Sequence, residues 1–169
     1  MRDDNKKPKI LIVDDEEKNL KLMSFIVKSC NYDFETAKNG FEALEKTKEY
    51  SPDLIFLDIM MPEMDGYETC KRLKEDAATK HIPVVMVSAL TDKESRIKGL
   101  EMGANDFLSK PVDGTEVVIR AINLLRIKEF EDFLKHHNEL LESEVKKKTA
   151  QLRESYIDTI HKLTKVAEY

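Results

Sequence analysis

The sequence predicts a doubly wound α/β domain with a five-stranded parallel sheet, continued by a long helix. Three observations predict it. Short apolar runs alternate with helical patterns, the signature of repeated βα units. The runs are nearly continuous in Val, Ile and Leu, as expected of parallel strands buried on both faces. Every glycine and proline lies within the first 114 residues, so turn signals stop there and residues 115–169 read as uninterrupted helix.

The first run, Lys9-Ile10-Leu11-Ile12-Val13, ends in Asp14-Asp15. Leu20, Met23, Ile26 and Val27 then recur at helical spacing up to Cys30. A short strand at Phe34-Glu35-Thr36-Ala37 is followed by Asn39-Gly40 and a helix through Ala43, Leu44 and Thr47, which Pro52 closes. The third strand, Asp53 to Leu57, ends in Asp58. A loop, Ile59 to Met64, leads to Asp65-Gly66, where Asp65 can cap a helix through Cys70, Leu73 and Lys74. The fourth run, Ile82 to Val87, ends in Ser88, and Thr91 can cap the next helix, through Ile97 and Leu100 to Gly103. The fifth strand, Asp106-Phe107-Leu108-Ser109, ends in Lys110-Pro111. Right-handed crossovers are expected throughout.

The fifth helix starts near Thr115 and meets no stop signal before Tyr169, a length of about 80 Å at about 1.5 Å per residue. Ile127, Leu134, Leu141, Val145, Leu152, Tyr156, Ile160, Leu163 and Ala167 form an apolar stripe along it, interrupted at His137-Asn138 and Lys148. A long helix with one apolar seam usually pairs with a second copy of itself. Residues 1–119 carry 18 basic and 24 acidic side chains, whereas residues 120–169 carry 10 and 9, as a solvated helix would. The division expected is a flexible lead-in at 1–8, a compact domain at 9–125 and a coiled-coil segment at 126–169. The pattern is unfinished at Tyr169 and is expected to lead into an output domain.

A net charge of -5 implies neither a nucleic-acid surface nor a basic membrane patch. No apolar stretch approaches the ~20 residues of a membrane span, and no secretory signal opens the chain, so a cytoplasmic location is expected. Cys30 and Cys70 lack metal-ligand spacing, fall on predicted helices and read as reduced structural thiols.

Ligands of open α/β sheets sit at the carboxyl ends of the strands. There the sequence places three carboxylates (Asp14, Asp15, Asp58), a hydroxyl (Ser88) and an ammonium (Lys110). Carboxylates brought so close repel one another and call for a cation, and hard oxygen ligands suit Mg²⁺. A carboxylate can attack phosphorus, and an ammonium with a cation can spread the charge of a transferring phosphoryl group.

The stretches Ile10-Leu11-Ile12-Val13-Asp14-Asp15, Leu57-Asp58 through Asp65-Gly66, Val87-Ser88-Ala89 and Phe107-Leu108-Ser109-Lys110-Pro111-Val112 resemble the receiver domain of two-component response regulators over residues 8–125. The resemblance implies a flavodoxin-like strand order 2-1-3-4-5 and a signalling switch whose Asp58 takes a phosphoryl group from a histidine kinase or a small phosphodonor. It further implies that Asp15 binds Mg²⁺ directly, Asp14 mainly through water, and the backbone carbonyl of Met60 as another ligand. Lys110 would pair with the phosphoryl group, Ser88 would move to bond it, Phe107 would turn inward, and the Lys110-Pro111 bond would be cis. Beyond catalysing its own phosphorylation and slow dephosphorylation, such a domain is not an enzyme. Met60 and Leu90 are apolar where a hydrolytic water would enter, so slow loss of the phosphoryl group is expected. The segment from Ala150 to Tyr169 is similar to the lead-in helix of HD-GYP cyclic di-GMP phosphodiesterases. His161 lacks a following kinase-type motif and does not read as a phosphorelay histidine.

Two other classes compete. An aspartate-nucleophile hydrolase of the haloacid dehalogenase type would want Asp-x-Asp after the first strand, where this chain has adjacent Asp14-Asp15. A module used only for constitutive dimerisation would not need the full set of Asp14, Asp15, Asp58, Ser88 and Lys110. A calcium loop from Asp58 to Glu68 fails because Met60 and Pro62 occupy ligand positions.

Overall fold

A computed structural model describes residues 7–89 and 93–167. Each apolar run forms a strand: β1 (Lys9–Val13), β2 (Asp33–Ala37), β3 (Leu54–Asp58), β4 (Val84–Ser88) and β5 (Asp106–Ser109). Between and after them come α1 (Glu17–Ser29), α2 (Gly40–Tyr50), α3 (Gly66–Glu75), α4 (Lys93–Glu101) and α5 (Gly114–Ala167). All strand pairs are parallel, in the order β2-β1-β3-β4-β5 expected from the sequence.

Alternation along each strand divides the core into two layers. Leu11, Val13, Ile55, Leu57, Val84 and Met86 pack with Ala43, Tyr67, Cys70 and Leu73 of α2 and α3. Ile10, Ile12, Phe56, Val85 and Val87 pack on the other side with Leu20, Met23 and Val27 of α1 and with Val117, Ala121 and Leu125 of α5. The three central strands are buried on both faces, which explains why they lack polar alternation.

Side chains set the helix starts. Asn39 Oδ1 accepts the Glu42 amide at 2.8 Å, and Asp65 Oδ1 accepts the Glu68 amide at 2.8 Å, the cap expected of Asp65. Thr91 and Leu90 lie outside the described residues. Cys70 sits in α3 as expected, but Cys30 lies one residue past α1 rather than within it. There the chain turns: the Cys30 amide reaches back to the Val27 carbonyl at 3.2 Å, and Asn31 takes a left-handed φ of 60°.

The chain divides into two compact units, one closing at Lys128 and one running from Glu129 onward. In the first, Lys128 is buried, with its ammonium 3.6 Å from Asp53 Oδ1 at the amino-terminal end of β3. In the second, every described side chain through Thr164 is exposed. Among the described residues, no helix is long and apolar enough to cross a membrane.

Candidate functional site

Strand register assembles the site. Val13 pairs with Leu57, and Asp58 with Val87, so continuing β1 by one residue sets Asp14 beside Asp58. Ser88 pairs with Ser109, and the Lys110 amide donates to the Ser88 carbonyl at 2.8 Å, which fixes Lys110 just past the paired ends. The Lys110-Pro111 bond is cis, as expected.

One carboxylate oxygen from each of Asp14, Asp15 and Asp58 lies within 4.8 Å of the other two. Asp14 and Asp58 are buried and Asp15 is exposed. The Lys110 ammonium lies 2.9 Å from both Asp14 Oδ2 and Asp58 Oδ1. The other oxygen of Asp14 accepts the Glu16 amide at 2.9 Å and the Asn19 side-chain amide at 3.0 Å, so its carboxylate is held at both ends. Ser88 is buried at the end of β4, on the same edge. The structure thus brings together all five residues expected to converge.

Burial pushes the Asp58 carboxyl up to about 6; the neighbouring Asp14 and Asp15 push the same way and Lys110 opposes them. Burial disfavours the Lys110 ammonium, yet the Asp58 and Asp14 carboxylates outweigh it and the group holds its proton above the usual lysine range. One cation against three carboxylates leaves excess negative charge in a hard oxygen set, the chemistry that suits Mg²⁺. At neutral pH Asp58 is mostly ionised.

The β3–α3 loop folds tightly over this edge. Glu63 has a left-handed φ of 68°, and the Gly66 amide donates to the Ile59 carbonyl at 2.9 Å. A Cβ on Gly66 would collide with the Asp58 carbonyl oxygen, so only glycine permits this approach. Met60 projects at the rim with 63% of its surface exposed.

Phe107 is half-buried and packs against the core layer shared with α2 and α3. A Cβ on Gly99 would strike both the Phe107 ring and the Met86 sulfur, so Gly99 lets α4 lie against that ring. On the neighbouring side Tyr67 donates its hydroxyl to the Ser95 carbonyl at 3.1 Å, and the Lys98 ammonium sits 4.3 Å from the centre of its ring. Sequence reasoning misses Asn19, Tyr67 and Gly99. Gly99, a glycine inside a helical pattern, is the available signal; the other two are ordinary helix-surface residues until the fold places them.

The receiver geometry is matched by known proteins. The chain is 45% identical over 120 residues to the response regulator PleD of Caulobacter vibrioides, a match covering 71% of this chain and 26% of that protein. It is 36% identical over 159 residues to a Vibrio cholerae protein described as a "Probable cyclic di-GMP phosphodiesterase", covering 94% of this chain and 36% of that one. The chain therefore spans roughly a quarter to a third of these two relatives. Among solved structures, the receiver domain of a Francisella response regulator matches with a TM-score of 0.67 and 33% identity, over 71% of this chain and 98% of that one. With residues 10–122 matching the response regulator receiver domain, the order of strands and the acidic edge agree with the match, and the chain belongs to that family.

Proposed function

We propose that this chain is a phosphorylation-dependent signalling switch in which Asp58 accepts the phosphoryl group. The observation that carries the reading is the placement of Lys110 2.9 Å from both Asp14 and Asp58, beside carboxylate oxygens of three aspartates gathered within 4.8 Å. An ionised Asp58 oxygen attacks the phosphorus of a histidine kinase's phosphohistidine or of a small phosphodonor. The phosphorus–nitrogen or corresponding bond to the donor breaks as the acyl phosphate forms. Lys110 neutralises phosphoryl charge and Ser88 moves to donate to a phosphoryl oxygen. Asp14, Asp15, Asp58 and the Met60 carbonyl would hold Mg²⁺, which supplies charge stabilisation at the transferring group when bound. Asn19 and the Glu16 amide orient Asp14.

The state is passed on through Phe107 and α4 to α5, and residues 126–169 pair with a second copy, following a receiver at 9–125. A family domain of this kind is not itself an enzyme. The match of 94% of the chain to the Vibrio cholerae protein supports an enzymatic output, a cyclic di-GMP phosphodiesterase, in a longer protein. Coupling of this type commonly amounts to about 1–3 kcal/mol, so phosphorylation biases the pairing rather than switching it completely.

The test is incubation with Mg²⁺ and a small phosphodonor, followed by intact-mass measurement. A single phosphoryl gain that disappears in Asp58→Asn is expected. Turnover of many phosphates per chain would favour a hydrolase instead, and a gain that survives Asp58→Asn would overturn the assignment. The exposed thioether of Met60 offers no proton acceptor to a hydrolytic water, so decay of the phosphorylated form should be slow. Met60→Glu should speed decay about tenfold, equivalent to about 1.4 kcal/mol of barrier. Fast decay that ignores this substitution would contradict the reading.

A further inference from the structure

Of the α4 residues only Gly99 is buried, while Ile97 and Leu100 stand 44% and 55% exposed. A helix that fully buries no side chain has little apolar area to seat it on the domain. Two aromatic rings seat α4 instead. Gly99 lies against Phe107 and Met86, where a Cβ would collide. One turn earlier the Ser95 carbonyl accepts the Tyr67 hydroxyl at 3.1 Å, and the Lys98 ammonium lies over the Tyr67 ring. Ser95, Lys98 and Gly99 share one face of the helix. The hydrogen bond joins two segments that leave the strand ends separately. Tyr67 follows Gly66, whose amide is bonded to the Ile59 carbonyl beside Asp58, and its side chain is buried in the core layer with Leu57 and Met86. Tyr67 is therefore fixed to the aspartate side of the site. Ser95 stands seven residues beyond Ser88, in the first turn of α4, and is tied by the chain to the hydroxyl side.

We propose that Tyr67 is a positioning residue of the switch: its bond to the Ser95 carbonyl holds α4 in the arrangement of the unmodified Asp58 and so opposes phosphorylation. This rests on the phosphoacceptor role proposed above for Asp58. Lys110 sits 2.9 Å from Asp58 Oδ1, so the bond belongs to the arrangement in which Asp58 is a free carboxylate. At 3.1 Å it is already long for two oxygens, and a shift of α4 by about an ångström ends it. Movement of Ser88 toward a phosphoryl group draws on the chain that leads into α4, and the bond is lost. The Ser95 carbonyl keeps its helical bond from the amide four residues on, so release orphans no acceptor. A contact present in one state only lowers the apparent affinity of any ligand that needs the other state.

Titration calorimetry of the full chain with Mg²⁺ and beryllofluoride, a mimic of the phosphoryl group, tests this. Tyr67→Phe keeps the ring and removes only the hydroxyl. It should bind the mimic about fivefold tighter than the parent, the effect of one hydrogen bond confined to one state. Its phosphorylation by acetyl phosphate should be faster in the same sense. Tyr50→Phe is the matched control: its ring also lies under a lysine ammonium, that of Lys9 at the start of β1, and its affinity should equal the parent's. Hydrogen exchange locates the effect. Amides of α4 should exchange several-fold faster in Tyr67→Phe than in the parent without the mimic, and equally with it. Unchanged or weaker affinity in Tyr67→Phe would overturn the inference, as would equal tightening in Tyr50→Phe. Faster α4 exchange that persists with the mimic bound would mark a purely structural contact and overturn it too. A parent that neither binds beryllofluoride nor gains a phosphoryl group would overturn the role of Asp58 itself, and this inference with it.

Discussion

Replacing Asp58 with asparagine should raise the stability of the metal-free protein by about 1–3 kcal/mol at neutral pH, despite removing an ion-pair partner. The reason is the raised carboxyl, about 6 against an ordinary 3.8, with burial as its main cause. A tenfold change in proton affinity corresponds to about 1.36 kcal/mol between protonation states, so ionised Asp58 disfavours the fold by up to about 3 kcal/mol. The sign sets the pH window. The folded state binds the proton more tightly than the unfolded state, so the parent loses stability as pH rises from about 4 to about 6 and stays penalised above that. Asparagine carries no charge to desolvate and should remove this slope, so the gap between variant and parent should close on acidification. Denaturant melts at about pH 4.5 and about pH 7, on either side of the Asp58 titration, measure it. Added Mg²⁺ should stabilise the parent more than the variant, because a ligand that binds only the folded state adds stability by mass action. A variant less stable than the parent at neutral pH without metal would show that the ion pair, not burial, dominates at Asp58.

Much of this was legible in the sequence because parallel strands and their ends carry strong signals. The runs at Ile10–Val13, Leu54–Leu57 and Val84–Val87 are buried on both faces, so their composition alone distinguishes them from half-buried strands. Asp14, Asp58, Ser88 and Lys110 follow those runs or β5 directly, and parallel register then brings them to one edge without further information. The contacts behind that edge were not legible. Asn19 is a helix-surface amide until the turn at Glu16 aims it at Asp14, and Tyr67 becomes a brace only when Ser95 of α4 is placed beside it. Lys128 reads as one more solvated charge on a long helix, yet it is buried against Asp53, 75 residues earlier in the chain. Such pairings depend on the angle at which helices lie on the sheet, which local periodicity does not encode. The end of α1 shows the same limit on a smaller scale: no glycine marks it, and Asn31 supplies the left-handed turn.

Replacing Lys110 with methionine should cost about 2–4 kcal/mol in the absence of metal, the opposite sign to Asp58→Asn. Methionine keeps most of the side-chain volume and removes only the charge. Removing one partner of a buried ion pair commonly costs about 3–5 kcal/mol, and the ammonium here is partly open to solvent, which places the expectation lower. What remains is two buried carboxylates facing each other without the cation that sits 2.9 Å from both. The loss should therefore depend on Asp58: in an Asp58→Asn background, Lys110→Met should cost at least about 1 kcal/mol less than in the parent, a coupling typical of residues sharing one network. The parent pair should hold across the neutral range, because Lys110 keeps its proton above the ordinary lysine value and loses that contribution only as pH rises through it. Mg²⁺ should recover part of the stability of Lys110→Met, since a divalent ion neutralises the same two carboxylates, while phosphorylation stays impaired for want of the ammonium on the phosphoryl group. Denaturant melts of the four chains in a double-mutant cycle, with and without Mg²⁺, decide the point. If the two substitutions simply add, Lys110 and Asp58 act on stability independently, and the shared charge balance at the strand ends is wrong.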